Sequence, residues 1–299
     1  MEIIVPATTA NLGSGYDCLG LALNLYNRVR VESAPRLRIR VRGQGKGMLP
    51  LNEQNLVWRA ACALFARLGV RPEPVALTME NAIPLSRGLG SSSAAIVAGL
   101  LLADHLTGAR LDDTELLAMA TELEGHPDNV APALLGGLVV SVVEDGRVVS
   151  VPSPFPDELG LCFCIPEIRL ATSRARQALP ESVPHGDAVF NLSRVALLLV
   201  ALQQQRYDLL PLAMADRLHQ PYRLGLIPGA AEVFARAAEA GAAATVISGA
   251  GPAICALVPP QVAAEQVGEA MVAGFSTAGI SARYRLFQVE NKGAHIVDA

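Results

Sequence analysis

Residues 84–95 read Pro84-Leu85-Ser86-Arg87-Gly88-Leu89-Gly90-Ser91-Ser92-Ser93-Ala94-Ala95. The apolar run 96–106 follows directly and predicts a helix, which places the three serines at the helix start. A helix N-terminus carries free N–H groups and a partial positive charge, and together these bind a phosphate anion. Gly88 and Gly90 would let the backbone approach that anion, and the serine hydroxyls could donate to it or coordinate magnesium. An ordinary Gly/Ser loop that begins a helix explains the same residues equally well.

This stretch matches neither of the common nucleotide-binding signatures. A P-loop has a lysine directly after its last glycine, whereas Gly90 is followed by Ser91. A dinucleotide fingerprint has a third glycine at the position that Ser93 occupies here. A phosphate bound at this loop would therefore be held by backbone groups and hydroxyls, in a different fold.

The composition of the chain favours a globular protein with two domains. Its 299 residues suffice for two domains of ordinary size, and 51% of them are hydrophobic. The formal net charge of −4 gives no basic field for a nucleic acid or a membrane. The sequence shows no secretory signal, and the apolar run 195–202 is far shorter than the ~20 residues of a membrane span. We expect a cytoplasmic protein without nucleic-acid or membrane partners.

Cysteine usage agrees with a reducing compartment. The five cysteines are odd in number and scattered, and no second pair of cysteines or histidines completes a zinc site. We expect buried free thiols at Cys18, Cys62, Cys162, Cys164 and Cys255.

The order of predicted elements indicates an α+β protein. The proline-rich segment 152–156 predicts a boundary between domains 1–153 and 154–299. We also expect a loop from Pro6 to Gly20 and one helix over 209–218. Arginines alternate with apolar residues along 36–42, which predicts a strand with one solvated face.

Three further stretches place polar or glycine residues between apolar elements. In the first, residues 6–17, Asn11 and Asp17 could bind a hydroxyl and an ammonium. The second, residues 122–129, clusters three carboxylates with His126 at a helix end, and the third, residues 247–253, permits close backbone approach. Each also has an ordinary explanation, as turn formers, a helix cap, solvated helix residues or a plain hairpin.

Taken together, these stretches resemble the three motifs of the GHMP small-molecule kinases. The matching residues are Pro6-Ala7-Thr8 with Asn11-Leu12-Gly13, Pro84 with Gly88 to Ala94, and Ser248-Gly249-Ala250-Gly251-Pro252. Within that superfamily, residues 11–20, 126–132, 219–223 and 227–229 resemble the homoserine kinases. The resemblance covers nearly the whole chain in the family's order.

The resemblance implies a two-domain GHMP kinase fold and a nucleotide site. The N-terminal domain would contain a left-handed βαβ unit, which is an exception to the usual crossover hand, and the C-terminal domain would be a ferredoxin-like sandwich. The triphosphate of ATP would lie along Pro84 to Ala94, with Gly249 and Gly251 also at the nucleotide. The adenine would lie near Asn55, Leu56 and Val57, and Ser92 and Glu124 would hold Mg²⁺.

The resemblance also implies an amino-acid site and a reaction. ATP would phosphorylate the side-chain hydroxyl of L-homoserine, a step of threonine biosynthesis. Asp17 suits the ammonium of that substrate, while Arg176 and Arg223 suit its carboxylate. The remaining residues around the substrate would be Asn11, His126, Asn129 and, at the reacting hydroxyl, Thr172.

Some alternatives stay open at this point. The family often has a spacer between its magnesium glutamate and the histidine motif, whereas Glu124-Gly125-His126 is contiguous here, so Glu122 competes with Glu124 as the metal ligand. No residue is an obvious general base. A kinase for mevalonate, a sugar or a related alcohol, or a non-catalytic nucleotide-binding regulator, would share the fold. Homodimers occur in the family, so a homodimer is a further expectation.

Overall fold

The computed structural model describes residues 1–297, which form two β-sheets covered by helices. The strands are β1 (Glu2–Ala10), β2 (Leu19–Ser33), β3 (Arg38–Gly43), β4 (Val75–Asn81), β5 (Leu138–Glu144), β6 (Arg147–Ser153), β7 (Gly160–Pro166), β8 (Ala244–Ile247), β9 (Ile254–Val258), β10 (Ala282–Phe287) and β11 (His295–Val297). The helices are α1 (Leu56–Arg67), α2 (Ser91–Thr107), α3 (Asp113–Glu124), α4 (Pro127–Leu135), α5 (Thr172–Gln177), α6 (His185–Gln203), α7 (Leu210–Ala213), α8 (Gln220–Arg223), α9 (Ala230–Glu239) and α10 (Ala264–Thr277).

The first sheet has the strand order β11-β1-β2-β4-β3, and the β5–β6 hairpin pairs with the start of β2. β3 and β4 are parallel and are joined through α1, which makes them the βαβ unit of this sheet. The hand of that crossover remains a prediction. Helices α2 and α4 pack on β1, so the start of α2 lies beside the first strand of the chain.

The second sheet confirms the ferredoxin-like expectation. Its strand order is β10-β7-β9-β8 with every pair antiparallel. In chain order, β7, α9, β8, β9, α10 and β10 make a βαββαβ unit, into which α5 to α8 are inserted between β7 and α9. Cys162 and Cys164 share one face of β7 and pack with α9 and α10. Leu161 and Phe163 face the other way and join the core of the first sheet. The two halves of the chain therefore share a continuous apolar interior.

Two local expectations were wrong. Residues 6–10 are not loop, because β1 continues through a register shift at Pro6 and Ala7 and buries both threonines that follow. Residues 209–218 are not one helix, because the Asp216 carboxylate accepts hydrogen bonds from the N–H groups of Leu218, His219 and Gln220. These bonds satisfy the backbone locally and begin α8 as a separate helix.

The closing strand was not predicted from the sequence. β11 pairs with β1 in the first sheet. By sequence position β11 belongs to the predicted second domain, 154–299, but it completes a sheet of the predicted first domain, 1–153. That boundary stays a prediction, between the end of β6 and the start of β7. The alternating arginine segment is confirmed, since Arg38 and Arg40 are exposed on β3 while Ile39 is buried between them.

Two other expectations concern the cysteines, expected to be buried free thiols, and the absence of a membrane partner. All five cysteines are free thiols, but Cys18 and Cys62 are only half-buried. Helix α6 is long and apolar enough to cross a membrane by length and composition alone. Its Asn191, however, is buried and donates to Ser14 O and Asp216 Oδ1. The absence of a membrane partner stays a prediction.

Candidate active site

A cavity of about 370 Å³ lies between the glycine-rich loop and the motifs from both ends of the chain. Most of the predicted site residues line it: Asn11, Asp17, Asn55, Leu56, Pro84, Leu85, Ser86, Arg87, Gly88, Leu89, Gly90, Ser91, Ser92, Ser93, Glu124, His126, Asn129, Thr172, Arg176, Arg223 and Gly249. Val57 and Ala94 do not, because their side chains are buried in the core. Gly251 does not line the cavity either, since it lies against Ile227 and Ile247.

The glycine-rich loop is clamped between the two other glycine-containing motifs. Gly88 and Gly90 have φ values of +74° and +69°, which only glycine adopts without strain. A Cβ on Gly88 would lie 2.0 Å from the carbonyl oxygen of Ser248, and one on Gly90 would lie 1.9 Å from Thr8 Oγ1. Thr8 N donates to Leu89 O at 3.2 Å, and Ser248 Oγ donates to Gly88 O at 2.6 Å. The loop is therefore fixed at the N-terminus of α2, where an anion is stabilised.

Two hydroxyls and one carboxylate converge at the start of α2. Ser92 Oγ and Ser93 Oγ donate to Glu124 Oε1 at 2.6 and 2.8 Å. Glu124 is the last residue of α3 and lines the cavity, whereas Glu122 is exposed and does not. A set of hard oxygen atoms at a phosphate-binding helix end is the donor chemistry that magnesium prefers. The geometry favours Glu124 over Glu122 as a metal ligand.

A bidentate ion pair crosses the other end of the cavity. Arg176 donates to both carboxylate oxygens of Asp17 and to the hydroxyl of Tyr16. Asp17 has a φ of +56°, and its N–H donates to Asn11 Oδ1 at 3.0 Å. Asn11 Nδ2 in turn donates to Gly249 O at 2.8 Å. The asparagine thus joins the first and third motifs and sets the position of the carboxylate.

Arg223 is only 2% exposed, and its guanidinium lies 5.2 Å from the centroid of the Tyr16 ring. Its guanidinium donates to Ala175 O and Gly249 O, and lies 3.3 Å from His219 Nδ1. Burial lowers the pKa of His219, and its Nε2 is 2.8 Å from Gly13 O, so the neutral ring donates there and accepts from Arg223. The guanidinium is thereby fixed with part of its surface facing the cavity.

His126 and Asp128 form a second pair of opposite charge at the start of α4. Nδ1 of His126 contacts Asp128 Oδ1. Burial acts to lower the pKa of this histidine, but the hydrogen bond and charge of Asp128 outweigh it and raise the pKa. The ligand atoms of Asp17, His126 and Asp128 lie within 4.8 Å of one another. Because Arg176 and His126 already pair with these carboxylates, the cluster suits magnesium less well than the group around Glu124.

Several residues that line the cavity or support its lining had no predicted role at the site. Thr8 Oγ1 donates to Asn129 Oδ1 at 2.8 Å, and this bond fixes the amide that faces the cavity. Tyr16 stacks on His219 with ring centroids 5.2 Å apart, although both residues were only noted as parts of motifs. At the far end, Asn27 Oδ1 accepts from Ala82 N and Ile83 N. Asn27 shares the buried face of β2 with Leu25 and Val29, and an asparagine at that period-2 position was the available signal.

Asn55 plays a structural part at the same end of the cavity. Its Oδ1 accepts from Val57 N at 3.1 Å and caps α1, while its Nδ2 donates to Pro50 O at 2.8 Å. Leu49, Pro50 and Gln54 come from the loop before α1 and also line this end. Their mixed apolar and amide surface is suited to a flat heterocycle.

Comparisons with known proteins agree with this geometry. The family model described as GHMP kinases N terminal domain matches residues 55–137, and the one described as GHMP kinases C terminal matches residues 198–277. The chain is 46% identical over 293 residues to a homoserine kinase of Moorella thermoacetica, covering 98% of each chain. It is 43% identical to a homoserine kinase of Desulfitobacterium hafniense, covering 99% of this chain and 100% of the relative.

Solved structures show the same similarity. A homoserine kinase from Cytophaga hutchinsonii matches with a TM-score of 0.88 and 32% identity, covering 99% of this chain and 97% of the other. A mevalonate kinase of L. major, solved with R-mevalonate, matches with a TM-score of 0.70 at 17% identity, covering 98% and 97%. At that identity the likeness shows a shared fold and no more.

Proposed function

The chain belongs to the homoserine kinases of the GHMP family, and on that premise we propose how its cavity performs the reaction. The enzyme transfers the γ-phosphoryl group of ATP to the side-chain hydroxyl of L-homoserine and forms ADP and O-phospho-L-homoserine. A cavity that serves this reaction needs an anion-binding end and an end that recognises a free amino acid. This cavity has the fixed loop at α2 at one end and the Asp17–Arg176 pair at the other.

The observation that supports this assignment most directly is that one cavity contains both kinds of site. The loop Gly88 to Gly90 offers the helix N-terminus to a triphosphate. Asp17, Arg176 and Arg223 offer one negative and two positive groups to a zwitterion. The end near Asn55 and Gln54 would take the adenine.

Ser92, Ser93 and Glu124 would hold Mg²⁺, because their oxygens already converge within hydrogen-bond distance. When bound, the ion would neutralise negative charge on the phosphates as phosphoryl transfer proceeds. The backbone N–H groups at the start of α2 would stabilise the remaining negative charge of the phosphates.

The other residues of the chain would position the acceptor hydroxyl. Asp17 would bind the ammonium and Arg176 and Arg223 the carboxylate, which holds both charged groups of the Cα end of the amino acid. Thr172 and Asn129 line the same space and would orient the side-chain hydroxyl. Phosphoryl transfer depends mainly on position and charge stabilisation, so a strong general base is not required. His126, held by Asp128, would add a positive charge next to the transferring group.

An ADP-release assay with a panel of alcohols tests the substrate assignment. Purified protein with ATP and Mg²⁺ is given L-homoserine, mevalonate, L-serine, 4-hydroxybutyrate and a hexose in separate reactions. We expect homoserine to have the highest kcat/KM. Faster turnover of mevalonate or a sugar would reassign the substrate, and no turnover of any alcohol despite ADP binding would favour a non-catalytic regulator.

The cytoplasmic location rests on the composition and cysteine usage of the chain, the homodimer rests on the family resemblance, and both remain proposals. Cell fractionation tests the location. Light scattering of the purified protein tests the dimer, for which twice the mass of one chain is the expected result.

A further inference from the structure

A second groove, of about 560 Å³, lies against the glycine-rich loop and carries an excess of positive charge. Four cationic side chains line it: Lys46, Arg87, Arg169 and Arg283. They come from the loop after β3, the glycine-rich loop, the segment after β7, and β10. We call this surface the basic groove. It is conspicuous in a chain whose net charge is −4.

The cations of the basic groove have no anionic partner of their own. Within residues 1–297, none of the four forms an ion pair at 4.0 Å or less. Glu167 is the single carboxylate that lines the groove. Arg169 Nη2 instead contacts the sulfur of Met48 at 3.1 Å. The groove thus gathers about three uncompensated positive charges (four cations less one carboxylate).

Arg87 connects the basic groove to the loop that carries the nucleotide site. Its side chain is half-buried, its backbone oxygen accepts from Ala253 N at 3.2 Å, and its backbone is therefore held in place. Burial lowers the pKa of Arg87, and the positive charges of Arg169 and Arg283 lower it further, with only Glu167 opposing them. Arg169 and Arg283 thus each repel Arg87, and a bound anion would relieve that repulsion.

The excess charge of the groove favours a multivalent anion, such as a phosphate, over a single carboxylate. Planar guanidinium groups bind phosphate oxygens in pairs, and this groove presents three of them from separate segments of the chain. The volume lies within the range of small-molecule sites. Two linked phosphate groups would match the excess charge better than one carboxylate.

We propose that the basic groove is a binding site for a small multivalent phosphate anion, separate from the nucleotide cavity. The two sites are neighbours, since Pro84, Leu85 and Arg87 line both. The anion bridges the first half of the chain, through Lys46 and Arg87, to the second half, through Arg169 and Arg283.

Inorganic diphosphate, titrated into the protein by calorimetry, is the probe that tests this site. The protein is first saturated with ADP without magnesium, so that the nucleotide cavity is filled and diphosphate is not chelated. We expect one saturable diphosphate site per chain. We expect Arg169→Gln and Arg283→Gln each to weaken its binding about fivefold, as for loss of one exposed ion pair, and the double variant to abolish saturation.

Arg285→Gln is the matched control, because it removes the same charge from β10 without touching the groove. Its diphosphate affinity should stay within about twofold of the parent protein. The ADP affinity of every variant is measured separately, so that a folding defect or a failed nucleotide assignment is distinguished from loss of the groove. The proposal is overturned if ADP-loaded protein shows no saturable site, if the double variant binds normally, or if Arg285→Gln loses as much affinity as Arg283→Gln.

Discussion

Arg176 donates two hydrogen bonds to Asp17, from Nη2 to Oδ1 at 2.8 Å and from Nη1 to Oδ2 at 3.0 Å. Each side chain thereby neutralises the other, so neither leaves an unpaired charge in the cavity before an amino acid binds. A zwitterion can enter this pair and leave no charge without a partner, because its ammonium replaces Arg176 and its carboxylate replaces Asp17. An anion without an ammonium would break the pair and leave the aspartate uncompensated. With the substrate placed as proposed, the ion pair would favour amino acids over simple hydroxy acids.

Asp17→Asn tests the place of the ammonium. We expect the KM for homoserine to rise about tenfold or more, because a charge-assisted bond is lost, while the KM for ATP stays within about twofold. Initial rates at varied substrate concentrations measure both constants. Asp208→Asn is the control, since Asp208 forms a similar bidentate pair with Arg206 on the surface, outside the cavity. An unchanged KM for homoserine in Asp17→Asn would refute this placement.

Discrimination against 4-hydroxybutyrate tests the exchange of partners. This compound has the carboxylate and the hydroxyl of homoserine but lacks the ammonium. We expect the parent enzyme to prefer homoserine by about 1,000-fold in kcat/KM, because sites built for a polar group reject ligands that lack it. In Asp17→Asn the preference should fall to about tenfold. A preference equally large in both proteins would show that another residue recognises the ammonium.

Glu124→Gln and Glu122→Gln decide which glutamate serves the metal. Glu124 receives hydrogen bonds from Ser92 and Ser93, whereas Glu122 is exposed outside the cavity. We expect Glu124→Gln to lower kcat by about 100-fold or more, since a metal ligand supplies several kcal/mol of charge stabilisation. Its rate should also require more Mg²⁺, which a magnesium titration would reveal. An equal loss of kcat in both variants would contradict the assignment of Glu124 as the metal ligand.

The elements around the loop were predictable because their signals are local. Glycine on both sides of an apolar run indicates where a helix begins and ends, and α2 is flanked by Gly90 and Gly108 in left-handed conformations. The ferredoxin-like order of the second sheet followed from family resemblance, and the strand pairing confirmed it. Local patterns and resemblance together gave the fold.

Partners that are distant in sequence were beyond such signals. Arg176 meets Asp17 across 159 positions, and no periodicity relates the two. The break at Asp216 and the continuation of β1 past Pro6 depend on hydrogen bonds and burial that composition does not encode. Resemblance supplied Asp17 and Arg176 separately, as two ends of a substrate site, and only the structure shows that they bind each other.

Arg223→Ala tests whether a buried guanidinium serves both stability and substrate binding. The residue is 2% exposed and donates to Ala175 O and Gly249 O. Its removal takes that donor from Ala175 O, leaves Gly249 O with Asn11 Nδ2 alone, and opens a cavity at a buried position. We expect a loss of about 2–4 kcal/mol in the free energy of unfolding and a raised KM for homoserine. Urea unfolding and initial rates measure these effects. Stability within about 0.5 kcal/mol of the parent, or a change in the KM for ATP alone, would contradict the assignment.

Gly90→Ala and Gly108→Ala separate backbone strain from close packing at the two ends of α2. Both glycines have a positive φ, +69° and +64°, so each alanine should cost about 1 kcal/mol from conformation. Only at Gly90 would the new Cβ meet an atom, Thr8 Oγ1 at 1.9 Å, whereas Gly108 has open space. We expect Gly90→Ala to lose roughly 1–3 kcal/mol more in urea unfolding and to bind ADP more weakly, because the loop must shift. Adding Thr8→Ala should recover part of that excess, since it removes the nearest obstructing atom. Equal stability of the two single variants would mean that the loop yields freely and is not a fixed phosphate site.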